Sequence, residues 1–510
     1  MLQLPDLRVS DNTQLVLGAA ACLGVVGVVA RAYLSKSDSG LPFPPSPPTQ
    51  GLLGHSLSRR NPFLTVGEWM DEHGPVITIR SVTRKVVIVG RYNAAVDIME
   101  KQGGSVADRP RFVAAGEILS GGLSTLLTPA GDRLRRMRRV LHAHLQPKAA
   151  EEYQPILMLH ARNTILDILE DPYNFQNHAS TFAAAITMKV AYGKTTPTSA
   201  TDPEVIQLRK HLRVFREAVL PGTYLVDMMP WLKYLPWYGR ELRQGFEGNR
   251  QLYIYQLNRV KQQMQSNADV GPSFVKYVLE SAEAHGMTEV EMAFLAGGFF
   301  AAGTDTTTLA ICTVLMAAAC FPEEQAKVQA ELDAVVGSHR APTFADEQSL
   351  PRLQAFISEA LRWRPLVANG LPHRTTKEVI WGNYCIPAGT TVIGHHWSIS
   401  RDPDVFPEPD VFKPERWIND QGHIRDDLKF FVFGFGRRVC PGQHVATRSV
   451  FITSLLNLWA FKVNLNPMKP LDDMAFMRAR DAQPGTIQFK TRIPETEIRR
   501  MMQHYPEGEP

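Results

Sequence analysis

The residues best suited to chemistry in this chain surround one cysteine, between positions 433 and 442. The segment reads Phe-Gly-Phe-Gly-Arg-Arg-Val-Cys-Pro-Gly, and its spaced residues are Phe433, Gly436, Arg438, Cys440 and Gly442. A thiolate is a strong metal ligand, and glycines let backbone N–H groups approach a sulfur atom closely. A helix predicted over about 442–459 would bring its positive end to the sulfur, which should lower the pKa of Cys440.

Two other interpretations of Cys440 are open at this point. The residue could be a buried structural cysteine, or it could form a metal-binding pair with His444. The number of cysteines is odd and no CxxC pair occurs, so a disulfide framework or a structural zinc site is disfavoured, and free thiols fit a reducing compartment. The five cysteines are Cys22, Cys312, Cys320, Cys385 and Cys440.

A second candidate site lies within a long apolar segment that ends before Pro322. Thr288 and Glu291 form a T-x-x-E capping box, which predicts a helix over about 289–320. Its middle is polar, with Asp305 and Thr306 in an otherwise apolar stretch. A polar kink in a core helix is the alternative interpretation. Small residues on one helical face would leave open space beside the hydroxyl of Thr306; the four residues that share this face are Phe294, Gly298, Ala302 and Thr306.

The cysteine loop resembles the haem-binding loop of the cytochrome P450 family, and the sequence Ala302–Thr306 resembles that family's [A/G]GxDT motif. The resemblance covers roughly residues 40–493. It implies haem b with Cys440 as the sulfur ligand to iron, whose electron donation favours O–O cleavage. It also implies that Thr306 hydrogen-bonds dioxygen, that Asp305 relays protons from solvent, and that Arg438 contacts a haem propionate.

Further family positions can be matched one by one. Two more propionate contacts are implied, His373 in LPHRTTKE and Arg138 in GDRLRRMRRVL, although His373 could be an ordinary loop histidine. The family commonly has a tryptophan four residues before Arg138, where this chain has Leu134. An E-x-x-R pair followed by a later arginine resembles the family's buried ionic network, and its members here are Glu359, Arg362 and Arg416.

The arginine-rich segment around Arg138 has two interpretations, a solvated face or a basic surface that docks an acidic electron donor. Its arginines are Arg133, Arg135, Arg136, Arg138 and Arg139. The resemblance implies that electrons come from NADPH through NADPH–cytochrome P450 reductase, with cytochrome b5 as a further candidate partner. The net charge of +4 is small for 510 residues, and no nucleic-acid-binding motif is present, so nucleic acid is not an expected partner.

The N-terminal part of the chain predicts attachment to a membrane. The apolar run from Leu15 to Ala30, resumed after Arg31, is just long enough to span a bilayer. Basic residues follow the run, so the positive-inside rule leaves the main body in the cytosol, at the endoplasmic reticulum membrane. A cleaved signal peptide is the alternative. We therefore expect a membrane anchor over 1–35, a stiff proline-rich hinge over 36–54 and a catalytic domain over 55–510.

The remaining patterns predict a mainly α fold with small β-sheets, the cytochrome P450 fold, preceded by a single N-terminal transmembrane helix. Residues 76–90 alternate as a β-hairpin does, and residues 378–395 and GTIQFKTRI near the C-terminus have the character of short strands. Hydrophobic residues make up 44% of the chain, enough for a large buried core. From about 92 to 365 the patterns are mainly helical.

The expected function is insertion of one oxygen atom from dioxygen into a lipophilic small molecule. The amino-acid sequences of the motifs are most similar to those of fungal microsomal members of the family, which act on terpenoids or polyketides in secondary metabolism. A haem-thiolate isomerase or dehydratase, and a non-catalytic membrane-tethered haem protein, are the alternatives. Neither would use the Asp305–Thr306 pair. The apolar residues in the family's substrate-contact segments are Phe112, Val113, Ile118, Leu119, Phe299, Leu366, Val367 and Phe476.

Overall fold

A computed structural model describes residues 39–49, 54–58, 60–80, 85–266, 271–428, 430–474 and 485–506. The fold is mainly helical with small sheets, as the sequence predicted. Its α-helices are α1 Pro62–His73, α2 Tyr92–Ala95, α3 Asp132–Leu145, α4 Pro147–Glu152, α5 Gln154–Glu170, α6 Phe175–Tyr192, α7 Pro203–Ala218, α8 Arg240–Gln265, α9 Phe274–Glu280, α10 Ala282–His285, α11 Glu289–Cys320, α12 Pro322–Val335, α13 Pro351–Trp363, α14 His396–Ile399, α15 Gln443–Ala460 and α16 Glu495–His504.

The strands are short and form three small sheets in the described chain. They are β1 Val76–Arg80, β2 Lys85–Val89, β3 Pro372–Arg374, β4 Val379–Trp381, β5 Tyr384–Ile386, β6 Thr391–Gly394, β7 Phe461–Leu465 and β8 Ile487–Thr491. The predicted hairpin is confirmed, since β1 and β2 pair antiparallel with Val76 opposite Val89. The C-terminal strand is also confirmed, as β8 pairs antiparallel with β7.

The chain divides into two compact units, and the first contains the larger sheet. This unit comprises the described residues up to Asp108, with 369–402 and 435–437. Its sheet has the order β1-β2-β6-β3, with β6 parallel to β2 and antiparallel to β3. Helix α1 covers one face because Val66 and Met70 pack on Ile77 and Ile88.

The second unit holds the helical core, in which α11 is the longest described helix. Helix α11 begins with the predicted capping box: Thr288 Oγ1 accepts a hydrogen bond from the Glu291 N–H, and the Thr288 N–H donates to Glu291 Oε2. It ends at Cys320, two residues before Pro322, which the sequence placed beyond its end. Among the described residues it alone is long and apolar enough to cross a bilayer. It is mostly buried inside the protein, which identifies it as a core helix.

Helix α13 carries a buried ionic network that joins it to the segment around Arg416. Arg362 and Glu359 are both fully buried and form two hydrogen bonds of 2.7 and 2.8 Å. Glu359 also accepts hydrogen bonds from Arg416 Nε at 3.2 Å and from the indole N–H of Trp417 at 3.0 Å. The three charged residues singled out in the sequence therefore meet. Because every oxygen of Glu359 has donors, the buried charge is compensated.

Two of the expected N-terminal features can be compared with the structure only in part. The proposed anchor, residues 1–35, lies outside the described residues, as does part of the hinge. Residues 41–49 of the hinge contain no helix or strand. The carbonyl oxygens of Pro44 and Pro45 accept hydrogen bonds from the side chain and the N–H of Thr78 in β1. This stretch is therefore attached to the larger sheet.

We predict that Glu359→Gln lowers the free energy of unfolding by about 3–5 kcal/mol, because it leaves two buried arginines without their carboxylate. Chemical denaturation of the purified protein measures the change. The matched control is Glu497→Gln, which removes the exposed Glu497–Arg500 pair with the same i, i+3 spacing and should cost less than about 1 kcal/mol. Equal losses in the two variants would contradict a stabilising role for the buried network.

Candidate functional site

Cys440 lies in a tight loop that leads directly into α15. Its N–H donates a hydrogen bond of 2.8 Å to the carbonyl oxygen of Phe433, which closes the loop. The backbone at Gly434 has φ of +80°, a left-handed conformation that favours glycine. At Gly442 the backbone needs no such freedom, since φ is −88°. A Cβ there would lie 4.0 Å from Cys440 Sγ, so glycine keeps space open beside the sulfur.

The electrostatic surroundings of Cys440 combine burial with two stabilising contacts for a thiolate. Burial raises the pKa of the Cys440 thiol, while the Gly442 N–H and the positive charge of Arg138 lower it. The sequence-based expectation of a lowered pKa is therefore wrong in direction. The backbone donor at the start of α15 is present as expected, but the desolvation of the sulfur outweighs it. A metal bound to the sulfur would supply the missing positive charge.

The surroundings of Cys440 fit a single thiolate ligand better than a multi-residue metal site. Among the residues that the structure describes, no group of three or more His, Cys, Asp or Glu side chains could hold a metal ion. The Cys440–His444 pair thus has no third protein ligand within that part of the chain. An iron whose other ligands come from a porphyrin needs only one. Partial exposure of Cys440 leaves the sulfur accessible to such a group.

Arg138 and Arg438 lie in the same unit as Cys440 and are fixed by backbone carbonyls. Arg138 Nη2 donates to the Val439 carbonyl at 2.9 Å, directly beside the cysteine, and burial lowers its pKa. Arg438 Nη2 donates to the carbonyl of Thr128 at 2.6 Å. Each guanidinium has five N–H donors, so these bonds leave further donors for an anionic group. Leu134, which stands where the family has tryptophan, is buried.

His373 belongs to the first unit, where it lies in β3 opposite Val392. It is buried, and its Nδ1 lies 2.9 Å from the carbonyl oxygen of Val106. With the carbonyl as acceptor, Nδ1 carries the proton, and this fixes the tautomer and the orientation of the ring. His373 is therefore a buried strand residue rather than the ordinary loop histidine that the sequence left open.

The polar segment of α11 that contains Asp305 and Thr306, called the notch below, borders one solvent-exposed face of an otherwise buried helix. Gly298, Ala302 and Thr306 are exposed, whereas most of their neighbours along the helix are buried. Phe294, predicted to share this face, is buried. A Cβ at Gly298 would meet nothing within 4 Å, so open space lies beside it. The small residues leave open space along two turns of α11, as the sequence predicted. This space beside Gly298, Ala302 and Thr306 is called the chamber below.

The two polar residues of the notch point in different directions. The hydroxyl of Thr306 donates a hydrogen bond of 2.9 Å to the carbonyl of Ala302, one turn earlier. Asp305 forms an ion pair with Arg216 of α7, whose Nη1 lies 3.1 and 3.4 Å from the two carboxylate oxygens. The Asp305 carboxylate is thus directed toward α7, and Thr306 faces the chamber.

Helix α15, which follows the cysteine loop, and helix α11, which carries Asp305 and Thr306, share buried clusters. Val445, five residues after Cys440, belongs to the same buried cluster as Phe300 and Ala301, which precede the notch. Farther along, the C-terminal halves of both helices share the main core, where Leu315 and Leu455 are buried. Helices α11 and α15 therefore contribute residues to the same two buried clusters, one near the cysteine loop and one in their C-terminal halves.

The five arginines of α3 do not form one continuous surface. Arg133 donates to Glu291 at 3.1 Å and to the Gly122 carbonyl, and Arg138 turns inward to the cysteine loop. The other three arginines share one helical face with Asp132 and line a shallow cavity of about 230 Å³. The docking surface implied by the sequence therefore contains three arginines, Arg135, Arg136 and Arg139.

Two residues of functional interest gave no sequence signal. Arg216 lies in a helix with several other cations, and nothing in its neighbours marks it. Thr187 in α6 forms a buried hydroxyl pair with Thr304 at 2.8 Å. A Cβ at Gly303 would lie 2.5 Å from Thr187, so this glycine permits α6 to pack against the notch. A contact between distant helices cannot be read from local spacing.

The chain is similar to one known protein family over most of its length. The family model for cytochrome P450 matches residues 43–489. Cytochrome P450 monooxygenase 113 of Postia placenta is 46% identical over 486 residues, covering 94% of this chain and 98% of the relative. Cytochrome P450 monooxygenase 64 of the same fungus is 48% identical over 456 residues, covering 89% and 92%. Cytochrome P450 monooxygenase aneD of Aspergillus aculeatus is 31% identical over 492 residues, covering 91% and 94%.

These matches extend well beyond the motifs, across both units and nearly the whole described fold. Identity of this degree over nine-tenths of both chains requires a shared fold. The relatives are fungal monooxygenases by name, which supports an oxidoreductase. The chain belongs to the cytochrome P450 family.

Proposed function

We propose that this chain is a haem-thiolate monooxygenase that inserts one atom of dioxygen into a lipophilic small molecule of fungal secondary metabolism. The observation that carries the proposal is the lone, partly exposed thiol of Cys440, which has a backbone donor at Gly442 and a cation at Arg138. This arrangement suits an anionic sulfur with one metal bond. An isomerase, a dehydratase or a non-catalytic haem protein would have the same thiolate but no use for the acid and alcohol of α11.

In this proposal, Cys440 ligates the iron of haem b, and Arg138, Arg438 and His373 contact its propionates. When bound, the haem supplies the activation of dioxygen and the transfer of one oxygen atom. The surrounding chain shields the sulfur from water only in part, since Cys440 is half-buried. Gly442 N–H and Arg138 stabilise the negative charge that the thiolate needs as a ligand. Arg138 is fixed next to the sulfur by its bond to Val439 O.

The chain's own contribution to catalysis is the movement of protons along α11. Asp305 takes a proton from solvent and, after its carboxyl group has turned from the side of α7, passes it to Thr306 Oγ1. The hydroxyl accepts this proton on a lone pair and releases its own toward the oxygen substrate in the chamber. Since Thr306 now donates to the Ala302 carbonyl, its O–H bond must turn away from that carbonyl first. A threonine hydroxyl turns easily.

A lipophilic substrate is supported by the chamber, which Gly298 and Ala302 leave open and uncharged. Most of the apolar substrate-segment residues named from the sequence have structural roles as well. Val113, Ile118 and Leu119 are buried in one cluster with Phe112 packed against it, and Phe476 lies outside the described residues. Terpenoids and polyketides are the proposed substrate class because the sequences of the motifs resemble those of family members that oxidise such compounds.

We further propose that NADPH supplies electrons through NADPH–cytochrome P450 reductase, with cytochrome b5 as a second donor. The reductase would dock on the arginine face of α3, where Arg135, Arg136 and Arg139 surround the cavity. The apolar run Leu15–Ala30 would anchor the chain in the endoplasmic reticulum membrane, and the catalytic part would face the cytosol. No nucleic acid takes part in this scheme.

We predict that Cys440→Ala abolishes the thiolate-type carbon monoxide difference spectrum and all NADPH-dependent activity. Cys320→Ala serves as the control, since Cys320 is a half-buried cysteine at the end of α11 whose pKa burial raises to about 11. That variant should retain the spectrum. A thiolate spectrum in Cys440→Ala, or a nitrogen-type ligand in the unmodified protein, would disprove the assignment.

We predict that Thr306→Val uncouples NADPH oxidation from product formation, with hydrogen peroxide released instead and product per NADPH reduced roughly tenfold or more. The assay uses the apolar compound that gives the largest substrate-binding spectral shift. Thr308→Val is the matched control because Thr308 also donates to the carbonyl one turn earlier, but is buried. Equal coupling in both variants would remove the proposed role of Thr306.

We predict that Arg139→Glu slows association with the reductase roughly tenfold at low salt, because it reverses a charge on the proposed docking face. The difference should shrink as salt is raised, since exposed charges are then screened. Arg250→Glu, an exposed position on α8, is the control. Stopped-flow reduction at several salt concentrations provides the measurement, and an equal effect of both reversals would argue against this face.

A further inference from the structure

The hydroxyl pair of Thr187 and Thr304 joins α6 to the side of α11 that lies behind the notch. Both side chains are buried, and their oxygens are 2.8 Å apart. Residues two positions apart on a helix are rotated by about 200°, so Thr304 and Thr306 project from opposite sides of α11. Thr306 therefore borders the chamber, while Thr304 holds the same stretch of helix from behind.

The direction of the hydrogen bond between the two hydroxyls follows from the acceptors around them. Thr187 Oγ1 lies 2.8 Å from the carbonyl oxygen of Ala183 and 3.1 Å from that of Ala184. Thr304 Oγ1 has Thr187 as its one hydrogen-bond partner in the part of the chain that the structure describes. If Thr187 donated to Thr304, the proton of Thr304 would have no acceptor. Thr304 therefore donates to Thr187, and Thr187 donates to α6, which satisfies both buried hydroxyls.

Thr304 differs from two neighbouring threonines in the direction of its proton. The hydroxyls of Thr306 and Thr308 donate to carbonyls of α11 itself, one turn earlier. Back-bonds of this kind destabilise a helix slightly and often bend it. The Thr304 hydroxyl could make the same bond to the carbonyl of Phe300, but its proton is already accepted by Thr187. Thr187 thus limits the number of back-bonds in the notch.

The apolar contacts that α6 and α11 share lie on both sides of the notch. Before it, Ala301 of α11 belongs to the same buried cluster as Met188 of α6. After it, Leu309 belongs to the same cluster as Ile186. In the described core, residues 302–308 belong to neither cluster. The hydroxyl pair therefore ties to α6 the polar segment that these clusters leave out.

We propose that Thr187 is a positioning residue, which accepts the proton of Thr304 and thereby sets the course of α11 at the notch and the place of Thr306 in the chamber. The inference rests on the proposed function of Thr306. Without the Thr187 oxygen, the Thr304 hydroxyl turns to the carbonyl of Phe300, because a helical threonine has a second rotamer that bonds back. This additional back-bond bends α11 and displaces Thr306.

The test measures product formed per NADPH in the haem-loaded, full-length chain with reductase, using the apolar compound that gives the largest spectral shift. Thr187→Val keeps the shape of the side chain and removes its oxygen. It should lower the ratio roughly three- to tenfold, the factor that one lost hydrogen bond can supply. Thr187→Ser keeps the hydroxyl and should restore the ratio. The carbon monoxide difference spectrum verifies that each variant has bound haem.

A second substitution tests the mechanism directly. Adding Thr304→Val to Thr187→Val removes the hydroxyl that would turn back, so the double variant should recover most of the lost ratio. Replacing both partners of a buried hydrogen bond by apolar groups of the same shape can be nearly neutral. A purely structural loss would instead be at least as large in the double variant.

Thr453→Val is the matched control. Thr453 of α15 is also buried, and its hydroxyl lies 2.7 and 3.1 Å from the carbonyls four and three residues earlier. This variant should leave the ratio unchanged. The proposal is overturned if Thr187→Val couples as the unmodified protein does, if Thr453→Val lowers the ratio equally, or if the double variant shows no recovery.

The variant Thr306→Val separates this proposal from the proposed function. If Thr306→Val lowers the ratio and Thr187→Val does not, Thr306 keeps its role and the positioning by Thr187 alone is refuted. If Thr306→Val leaves the ratio unchanged, the role of Thr306 fails, and the positioning role fails with it.

Discussion

The central constraint on this molecule is that the half-buried sulfur of Cys440 has to carry a negative charge if it is to ligate a metal. Burial favours the protonated thiol, and the structure shows this as a raised pKa for Cys440. The chain opposes the effect with a backbone N–H at the start of α15 and with Arg138, which is held in place by the neighbouring carbonyl. These contacts alone do not reverse the effect of burial. The positive charge of a bound metal would complete the balance.

Helix α11 has two opposing requirements. It must be stable as a core helix, and it must leave an open polar space beside its middle. Glycine and threonine weaken the middle of a helix, and the Thr306 and Thr308 hydroxyls bond to carbonyls one turn earlier. The capping box at Thr288 and the burial of the C-terminal half offset this cost. The weak part of the helix is thus placed where space is needed, between two well-held ends.

Much of this arrangement could be predicted from the sequence because it is encoded in local spacing. The bounds of α11, the β1–β2 hairpin and the meeting of Glu359, Arg362 and Arg416 were all predicted correctly. The direction of the Cys440 pKa was not, because desolvation depends on how much protein covers the sulfur. The pairing of Arg216 with Asp305 could not be foreseen either, since 89 residues separate them and only the packing of α7 beside α11 brings them together.

Two arginine–carboxylate pairs show that burial decides how easily an ion pair can separate. The side chains that contact Glu359, those of Arg362, Arg416 and Trp417, have little exposure to solvent, so separating the charges would leave them without water and the network stays closed in the folded state. At Asp305, the arginine extends into solvent, where water replaces the carboxylate at small cost. The first pair suits a permanent support behind the helices. The second contributes little to the stability of the fold and can open without disturbing it, because one of its partners is already in water.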